Sequence, residues 1–453
     1  MPRLVLDVSS LLSWSGPPAG IVRVEHALAT AALRRPDTIL AFYDADFGCL
    51  CAIDPKWQQP LLGWSAALDR HRTVPRRGWR RLIPGRHRLV VALERVRLAP
   101  PHPVIARMAD LAQRAILAIR RHQFPLLDAS GHRVGIIPRD LALGPPLDLG
   151  PTDTVMTAGS AWSDTDPARM VGLKRRHGFR YAVLCYDLIP ATHPHFYPPE
   201  MAQQFVDYWA GVLPAVDTVI VNAACIAADM RRFCAERGIT VPAIRQLPLG
   251  FDPPAETPPA PLPEPLTRGA FALFVSTIEP RKGHAVLLRA WRRLLARGIP
   301  QTSGFHLVFV GRPGWLVDDV LDALADPGTL HDSVIHFGHA SDAVLAALYQ
   351  GAAFCLYPSV YEGFGLPIIE AYARGKPVLA SSGGAVPETA GRLSPALDPV
   401  DDAAWEAAIA DWIQDPGARP AEAEIRAAAG YSTWPDAASR ILDAAEGRAE
   451  PKL

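Results

Sequence analysis

The sequence has few cysteines, few lysines, no net charge and no long apolar run. Six cysteines are scattered through 453 residues without a Cys-x-x-Cys pair, which gives no indication of a zinc ribbon or a disulfide framework. No run approaches the roughly 18 apolar residues that a membrane-spanning helix needs. Scattered cysteines are typical of a reducing compartment, so we expect the protein in the cytoplasm.

Charge is balanced in total but not along the chain. The 46 basic and 46 acidic residues cancel, and without a basic surplus the sequence predicts no nucleic-acid partner. Residues 70–121, however, hold 14 arginines, no lysine and two acids, a local net charge of +12. Within them, 104–121 has apolar residues at helical spacing and arginines on the opposite face. We expect this segment to bind an anionic surface on the inner face of the cytoplasmic membrane, while a buried helix with a solvated arginine face is the alternative.

A proline-rich segment divides the chain. Seven of the 17 residues in 253–269 are proline, a composition typical of an extended linker rather than a packed element. We predict one domain over 1–252 and a second over 270–430, because 453 residues exceed what one core usually serves. Residues 50–150 show no regular alternation of elements and are expected to be an insertion in the first domain.

Short apolar runs alternate with amphipathic stretches in both halves, and this alternation predicts doubly wound α/β sheets. The predicted strands of the second half are 271–276, 307–311, 353–357 and 377–380, with helices at 285–296 and 341–348. Those of the first half are 4–8, 38–42, 181–185 and 218–221, with helices at 22–32 and 201–212. Ligands of such sheets bind at the carboxyl ends of the strands, so the residues after each run are the candidate site residues.

Two adjacent cations follow the first predicted strand of the second half. Arg281 and Lys282 lie in the segment STIEPRKG, between that strand and the next helix. Cations at a helix start oppose the helix dipole, and an anion held between them removes that conflict. The pair therefore indicates a diphosphate site, while a solvated Arg-Lys pair is the simpler alternative.

A glycine-rich turn with two glutamates follows the third predicted strand. The turn consists of Gly363, Phe364, Gly365 and Leu366. Its glycines let backbone N–H groups come close to phosphate or sugar oxygens. Glu362 precedes the turn and can reach sugar hydroxyls, and Glu370 lies about one helical turn further on, where its carboxylate can bind two ribose hydroxyls. Both glutamates could alternatively favour the helix start by their charge alone.

Two further loops are candidates for a pocket that holds the base of a nucleotide. Arg312 and Trp315 follow the second predicted strand, and the segment from His336 to His339 is also expected to follow a strand. Backbone groups and an aromatic wall would suit a base, although ordinary strand-to-helix loops have the same composition.

These motifs together resemble family 4 glycosyltransferases of the GT-B fold. The segments STIEPRKGH, FVGRPGW, FGH, SVYEGFGLPIIEAYARGKPVLAS and GGAVPETAG have the order and spacing of that family over about 270–395. The first half is similar to its bacterial mannosyl- and rhamnosyltransferase branch through PAGIVRVEHALA, CYDLIPATHPHFYPP and RQLPLGFD. The segment YSTWPDAASRILDAA, within 431–453, resembles the helix that in this fold crosses back to the N-terminal domain.

The resemblance implies two facing Rossmann-like domains with a cleft between them, the first on the acceptor side and the second holding a nucleotide sugar. It implies a retaining enzyme that needs no metal or other cofactor. Arg281 and Lys282 would neutralise the donor diphosphate, and Glu370 would bind the ribose. Glu362 and the turn 363–366 would meet sugar and phosphate. We therefore interpret the two Asp-x-Asp triplets, at 44–46 and 164–166, as turn or capping acids.

The first half offers three weaker candidates. Gly20 opens a helix after the first strand and is expected to face donor phosphate or sugar, although the family's paired glycines are Pro-Pro-Ala-Gly here. Asp187 and His193 follow the strand 181–185, and either is a candidate for contact with the transferred sugar or the acceptor hydroxyl.

The predicted function is transfer of mannose from GDP-mannose to a lipid-linked saccharide in bacterial exopolysaccharide or lipopolysaccharide synthesis. Two alternatives share the fold, namely a nucleotide-sugar 2-epimerase and a non-catalytic partner subunit. Products formed without acceptor distinguish the first, and failure to bind nucleotide sugars would favour the second.

Overall fold

The computed structural model describes residues 2–14, 20–44, 47–64, 136–137, 139–164, 166–252, 260–330, 332–428 and 430–448, with a few positions between 104 and 133. By contacts, the chain divides into two compact units. The first comprises 1–184, 211–220 and 438–453, and the second comprises 185–210 and 221–437. This division differs from the predicted boundary after 252, because 185–210 and 221–252 group with the second unit. Most of the arginine-rich segment 70–121 lies outside the described residues.

The first sheet has eight strands in the order β4-β3-β2-β1-β5-β6-β7-β8. Their bounds are Leu4–Asp7 (β1), Thr38–Asp44 (β2), Cys49–Ile53 (β3), Leu143–Pro146 (β4), Thr154–Thr157 (β5), Arg180–Cys185 (β6), Thr218–Val221 (β7) and Ala243–Gln246 (β8). Strand β1 pairs in parallel with β2 and β5, and β5 pairs in parallel with β6. Strands β3 and β4 add an antiparallel edge.

Helices alternate with these strands. Their bounds are Ser9–Ser13 (α1), Ile21–Ala32 (α2), Pro55–Leu62 (α3), Arg139–Ala142 (α4), Ala161–Asp164 (α5), Pro167–His177 (α6), Ile189–Thr192 (α7), Pro199–Val212 (α8) and Ala224–Glu236 (α9). Gly20 is the N-cap of α2 and has a φ of 53°, in the left-handed region that favours glycine. Asp166 caps α6 by accepting a hydrogen bond from the N–H of Ala168 at 2.9 Å, so it serves as the predicted capping acid.

The second sheet has six parallel strands in the order β11-β10-β9-β12-β13-β14. Their bounds are Phe271–Val275 (β9), His306–Val310 (β10), Val334–Phe337 (β11), Phe354–Tyr357 (β12), Val378–Ser381 (β13) and Ala396–Leu397 (β14). Counted along the chain, this is the order 3-2-1-4-5-6 of a Rossmann sheet. The strand order therefore reverses between β9 and β12.

The helices of this part follow the same alternation. Their bounds are His284–Ala296 (α10), Ile299–Ser303 (α11), Asp318–Ala325 (α12), Pro327–Leu330 (α13), Asp342–Gly351 (α14), Leu366–Tyr372 (α15), Val386–Ala390 (α16), Asp402–Gln414 (α17), Glu422–Ala428 (α18) and Trp434–Ala445 (α19). No described helix is long and apolar enough to cross a membrane.

The apolar runs became buried strands because both faces of a parallel sheet are covered by helices. Phe274 and Phe309, on neighbouring strands, pack edge to face with ring centroids 5.9 Å apart. Trp291 of α10 and Trp405 of α17 belong to the same core and are fully buried. All the strands and helices predicted from these runs are confirmed, with ends shifted by a few residues.

Two expectations about irregular segments need correction. Residues 50–150 contain regular structure at both ends, because β3 and β4 form an antiparallel edge there, which lacks the regular strand–helix alternation of the parallel strands. The described part of the proline-rich segment, 260–269, is also partly packed. Leu266 is buried in the core of the second sheet and Leu262 packs against it, because a segment of turns can bury leucines without forming a helix or strand.

The end of the chain packs on the first unit. Residues from Ala438 onward belong to that unit. Arg35, which follows α2, makes ion pairs with Asp443 at 3.0 Å and Glu446 at 3.2 Å and donates to the carbonyl of Ser439 at 2.9 Å.

Candidate active site

The predicted site residues of the second half converge where the strand order reverses. Arg281 and Lys282 follow β9, and Glu362 follows β12, its neighbour in the sheet. A crevice forms at such a point because the connections from the two strands lead to opposite sides of the sheet. The sheet topology therefore brings together residues that lie 80 positions apart in the chain.

Glycines let the loops after these strands touch through their backbones. Gly283 has a φ of 81°, and a Cβ there would lie 2.4 Å from the carbonyl oxygen of Pro358. The N–H of Val360 donates to the carbonyl of Arg281 at 2.7 Å. The loop after β13 closes against the same segment, since a Cβ on Gly383 would lie 2.1 Å from the carbonyl oxygen of Val360. Three loops thus form one closely packed layer.

Arg281 and Lys282 are both paired with Glu362. The Nζ of Lys282 donates to Oε1 of Glu362 at 2.5 Å, and the same oxygen lies 3.1 Å from a terminal nitrogen of Arg281. Arg281 also lies 3.2 Å from Oε2 of Glu279 and donates to the carbonyl of Tyr361 at 3.3 Å. Glu362 is only 6% exposed, so this is a buried ionic cluster rather than a solvated surface pair.

The cluster sets the titration of its members. Burial alone would raise the pKa of Glu362, but Lys282 and Arg281 outweigh it and lower that pKa to about 2. Burial and the neighbouring charge of Arg281 lower the pKa of Lys282 from its ordinary value. Burial also opposes the charge of Arg281, yet Glu362 and the other acidic groups around it raise its pKa. Glu362 is therefore ionised throughout the physiological range.

Asp187 and Gly363 lie against each other. A Cβ on Gly363 would lie 2.3 Å from the carbonyl oxygen of Tyr186 and 3.1 Å from the Cβ of Asp187. The Oδ1 of Asp187 accepts a hydrogen bond from the N–H of Ile189 at 3.0 Å. Burial raises the pKa of Asp187, although the charge of Arg281 opposes this. The structure thus brings Asp187 to the ionic cluster.

His193 belongs to an aromatic group beside the cluster. Its ring lies 4.8 Å from that of Tyr361, and its Nδ1 lies 2.9 Å from the hydroxyl oxygen of Thr192. Burial and the nearby His195 lower the pKa of His193, which favours the neutral ring. Tyr361 is itself fixed, because its hydroxyl donates to Oδ2 of Asp229 at 2.5 Å.

Glu370 and the glycine-rich turn lie further along the same connection. Gly365 has a φ of 96° and forms the N-cap of α15, and the carbonyl of Phe364 accepts a hydrogen bond from the hydroxyl of Thr389. Leu366 begins α15 and is half-buried. Glu370 is half-buried on α15, where its Oε2 accepts a hydrogen bond from the hydroxyl of Tyr349 at 3.2 Å.

The other candidates lie outside this cluster. Gly20 belongs to the first unit, whereas the cluster belongs to the second. Arg312 is exposed after β10, in the loop where the N–H of Ile278 donates to its carbonyl at 3.0 Å. Trp315, considered as a wall for a base, instead donates from its indole N–H to the carbonyl of Phe196 at 2.8 Å and packs on Tyr197.

Several residues around the cluster do not belong to the motifs that predicted the site. Glu279 could have been found, because it lies in the same segment as Arg281. Tyr197 comes near Arg281 only through the fold, and Tyr349 lies 21 positions before Glu370 on another helix. Within the described ranges, no group of three or more His, Cys, Asp or Glu side chains is arranged to hold a metal ion.

Comparison with known proteins gives this arrangement a class. Residues 264–430 match the family described as glycosyl transferases group 1. The predicted resemblance to family 4 glycosyltransferases is confirmed over this part of the chain.

Individual relatives agree with this class. The chain is 35% identical over 192 residues to the O-antigen chain mannosyltransferase B of Escherichia coli, a match that covers 42% of this chain and 49% of that one. It is 26% identical over 271 residues to the serotype-specific mannosyltransferase WbdA of the same species, covering 57% of this chain and 32% of that one. The chain thus spans about half of the first relative's length and about a third of the second's.

A solved structure is similar to the chain over nearly the whole of its length. The Anabaena protein Alr3699/HepE, solved in complex with UDP, is 16% identical with a TM-score of 0.54, over 98% of this chain and 99% of that one. At this identity the likeness shows the fold alone. The predicted GT-B fold, with two mainly parallel α/β sheets, is confirmed.

Proposed function

We propose that the chain is a retaining glycosyltransferase that moves a hexose from a nucleotide donor to a saccharide acceptor. One observation carries this proposal, namely the buried cluster of Arg281, Lys282 and Glu362 where the strand order of the second sheet reverses. Two cations at that point suit the diphosphate of a nucleotide sugar, which leaves with increasing negative charge as the sugar is transferred.

Each residue of the cluster has a proposed role. Arg281 and Lys282 neutralise the leaving diphosphate, and Glu370 binds the nucleotide ribose. Glu362, ionised and held by both cations, accepts hydrogen bonds from sugar hydroxyls. Asp187 and His193 lie beside the cluster and are proposed to contact the transferred sugar or the acceptor hydroxyl.

The rest of the donor site is proposed from residues that the cluster does not include. The backbone N–H groups of the turn face the diphosphate, and the turn consists of Gly363, Phe364, Gly365 and Leu366. Gly20 and Arg312 are proposed as further donor contacts, because a helix start and an exposed cation each suit an anionic ligand.

The proposed donor is GDP-mannose and the proposed acceptor is a lipid-linked saccharide of a bacterial surface polysaccharide. The names of the two Escherichia coli relatives, both mannosyltransferases and one of the O-antigen chain, support this choice. The cytoplasm, at the inner face of the cytoplasmic membrane, is the proposed location, because nucleotide sugars and lipid-linked intermediates meet there.

A panel of nucleotide sugars tests the proposal. We expect GDP-mannose to raise the melting temperature of the purified protein more than UDP-glucose, UDP-N-acetylglucosamine or dTDP-rhamnose do, because a ligand that binds only the native state stabilises it. Incubation with the best donor and membrane extract should transfer radiolabelled sugar to lipid with the α-configuration retained. An epimerised nucleotide sugar formed without acceptor would instead identify a 2-epimerase. Failure of every donor to bind would indicate a partner subunit.

We also propose that residues 70–121 bind an anionic membrane surface. Their net charge of +12 supports attraction to anionic lipid, worth about 1 kcal/mol for each basic residue near the surface. Three described apolar residues of this segment are exposed, namely Val104 (56%), Ile105 (42%) and Met108 (67%). Arginines would bind the surface by charge alone. Exposed apolar side chains would strengthen this binding by burying apolar area at the headgroup boundary.

Vesicle binding tests the membrane proposal. We expect the protein to sediment with phosphatidylglycerol vesicles at 50 mM NaCl and to be released by 500 mM NaCl, because salt screens the attraction. Changing Arg76, Arg77, Arg80 and Arg81 together to Gln should weaken this binding. The control is a variant of the second unit in which Arg289, Arg293 and Arg297 are changed to Gln. These arginines pair with Asp402 or Glu406. Equal binding to phosphatidylcholine vesicles would contradict the proposal.

A further inference from the structure

Tyr349 makes a buried contact with Glu370 that the proposed chemistry does not use. It lies on α14 and is 1% exposed, and its hydroxyl donates to Oε2 of Glu370 on α15 at 3.2 Å. Burial raises the pKa of Tyr349, and the charge of Glu370 adds to this, so the hydroxyl keeps its proton and acts as the donor. A buried tyrosine hydroxyl needs such a partner, because leaving it without one costs free energy.

Arg374 holds the same pair from another side. Its guanidinium carbon lies 4.6 Å from the centroid of the Tyr349 ring, within the range of a cation–π contact. One of its terminal nitrogens donates to the backbone carbonyl of Glu370 at 2.8 Å. Arg374 therefore fixes the ring that carries the hydroxyl and the helix residue that carries the carboxylate.

We propose that Tyr349 is a positioning residue that sets the orientation of the Glu370 carboxylate for recognition of the nucleotide ribose. The terminal torsion of a glutamate is broad, so a carboxylate without a fixed partner samples many planes. A hydrogen bond to Oε2 favours one plane, and the two oxygens of a carboxylate together offer about four acceptor positions, enough for this bond and for a pair of neighbouring hydroxyls. The inference rests on the proposed role of Glu370 as the ribose ligand.

The consequence is selectivity for ribose. A carboxylate held in one plane discriminates between a donor with both hydroxyls and one that lacks the 2′-hydroxyl, because binding costs less when the acceptor is already oriented. Loss of the Tyr349 hydroxyl should reduce this discrimination. A purely structural tyrosine would affect binding of both nucleotides equally.

Calorimetric titration with GDP and 2′-deoxy-GDP tests the inference on four variants, the fourth being Arg374→Gln. Tyr349→Phe removes the hydroxyl and keeps the ring. Tyr372→Phe is the matched control, because Tyr372 is also buried and its hydroxyl donates to the carbonyl of Ala390 at 2.9 Å, away from Glu370. Glu370→Gln tests the ribose ligand itself. Circular dichroism of each variant shows that it is folded.

We expect Tyr349→Phe to weaken GDP binding by about three- to tenfold, the effect of one hydrogen bond, and to weaken 2′-deoxy-GDP binding less. The ratio of the dissociation constant for 2′-deoxy-GDP to that for GDP should fall in Tyr349→Phe. It should stay at the wild-type value in Tyr372→Phe. Arg374→Gln, at a half-buried position, should lower the ratio in the same direction and serves if Tyr349→Phe does not fold.

The outcomes separate the inference from the proposed function. Unaltered GDP binding in Glu370→Gln would remove the ribose role of Glu370 and, with it, the inference. Weaker binding in Glu370→Gln with an unchanged ratio in both Tyr349→Phe and Arg374→Gln would overturn the positioning role alone. If the wild type binds neither GDP nor UDP, both are wrong.

Discussion

At the scale of single residues, Lys282 combines burial with a positive charge at the proposed donor site. Its side chain is 13% exposed and its ammonium group is paired with Glu362. The Glu362 carboxylate favours the cationic form of this lysine, and the ammonium group is proposed to bind the donor diphosphate as well. Lys282 is thus the residue whose removal best tests the cluster.

We predict that Lys282→Ala raises the transition-state barrier by about 2–4 kcal/mol, the range for losing one preorganised donor. This corresponds to a loss of about 30- to 1000-fold in kcat/KM. Lys376→Ala is the control, because Lys376 is the other lysine of this sheet region and its Nζ donates to the carbonyl of Ala352 at 3.1 Å. Steady-state kinetics with the best donor measure both. A near-normal kcat/KM in Lys282→Ala would remove it from the site.

The titration of Lys282 gives a second prediction. Burial, followed by the charge of Arg281, lowers its pKa below the ordinary 10.5. The ammonium form stabilises the leaving diphosphate in the proposed mechanism. Because the pKa of Lys282 is lowered, kcat/KM should begin to fall at a pH below 10.5 as the pH rises. Lys282→Arg should keep its charge at that pH and shift the fall to higher pH, whatever its absolute rate. A flat profile up to pH 10.5 in the wild type would contradict the assignment.

At the scale of elements, the loop after β9 depends on Gly283. A side chain there meets two obstacles, a φ of 81° and a carbonyl oxygen 2.4 Å from the position of the Cβ. The obstacle is backbone, which cannot swing aside as a flexible side chain would. The conformation of the loop and the spacing of Arg281 from Val360 therefore need glycine.

We predict that Gly283→Ala destabilises the protein by about 1–3 kcal/mol, the usual cost of overpacking, and lowers activity by displacing Arg281 and Lys282. Gly338→Ala, in the loop after β11, is the control, because a Cβ there meets nothing within 4 Å. Urea unfolding and transfer kinetics measure the two effects. Wild-type stability and rate in Gly283→Ala would show that the loops are not closely packed.

The elements show what the sequence could predict. The central strands, such as β9 and β12, were predictable because each is an apolar run ended by turn residues. Strand β4 was not, because its sequence Leu-Gly-Pro-Pro is typical of a turn and it pairs only at the edge of the sheet. The ion pair of Lys282 with Glu362 and the contact of Tyr349 with Glu370 required the fold, since pairing partners far apart in sequence leave no local pattern.

At the scale of the whole molecule, positive and negative charges are distributed unevenly along the chain. The arginines of 70–121 offset an excess of acids elsewhere, so the zero total reports neither the membrane proposal nor the donor site. The proposed donor site contains two cations, Arg281 and Lys282, which the topology of the second sheet brings to one carboxylate. Total charge is therefore a poor guide to the ligands of a chain with two sheets and several sites.

We predict that transfer is independent of a divalent metal, because the two cations of the cluster supply the charge that a metal ion would bring to the diphosphate. Activity should persist after incubation with EDTA in excess over trace metal. A metal-dependent enzyme assayed in the same buffer shows that chelation is complete. Loss of activity that Mn²⁺ restores would contradict this prediction.

The backbone contacts among the loops after β9, β12 and β13 have a consequence for engineering. Because Gly283 touches Pro358 and Gly383 touches Val360, no one of these loops can change its path without a clash in another. Chimeras that graft a single loop from a relative with a different donor should fold poorly or lose donor binding. Exchange of donor preference between such enzymes should require the three segments to be transplanted as a set.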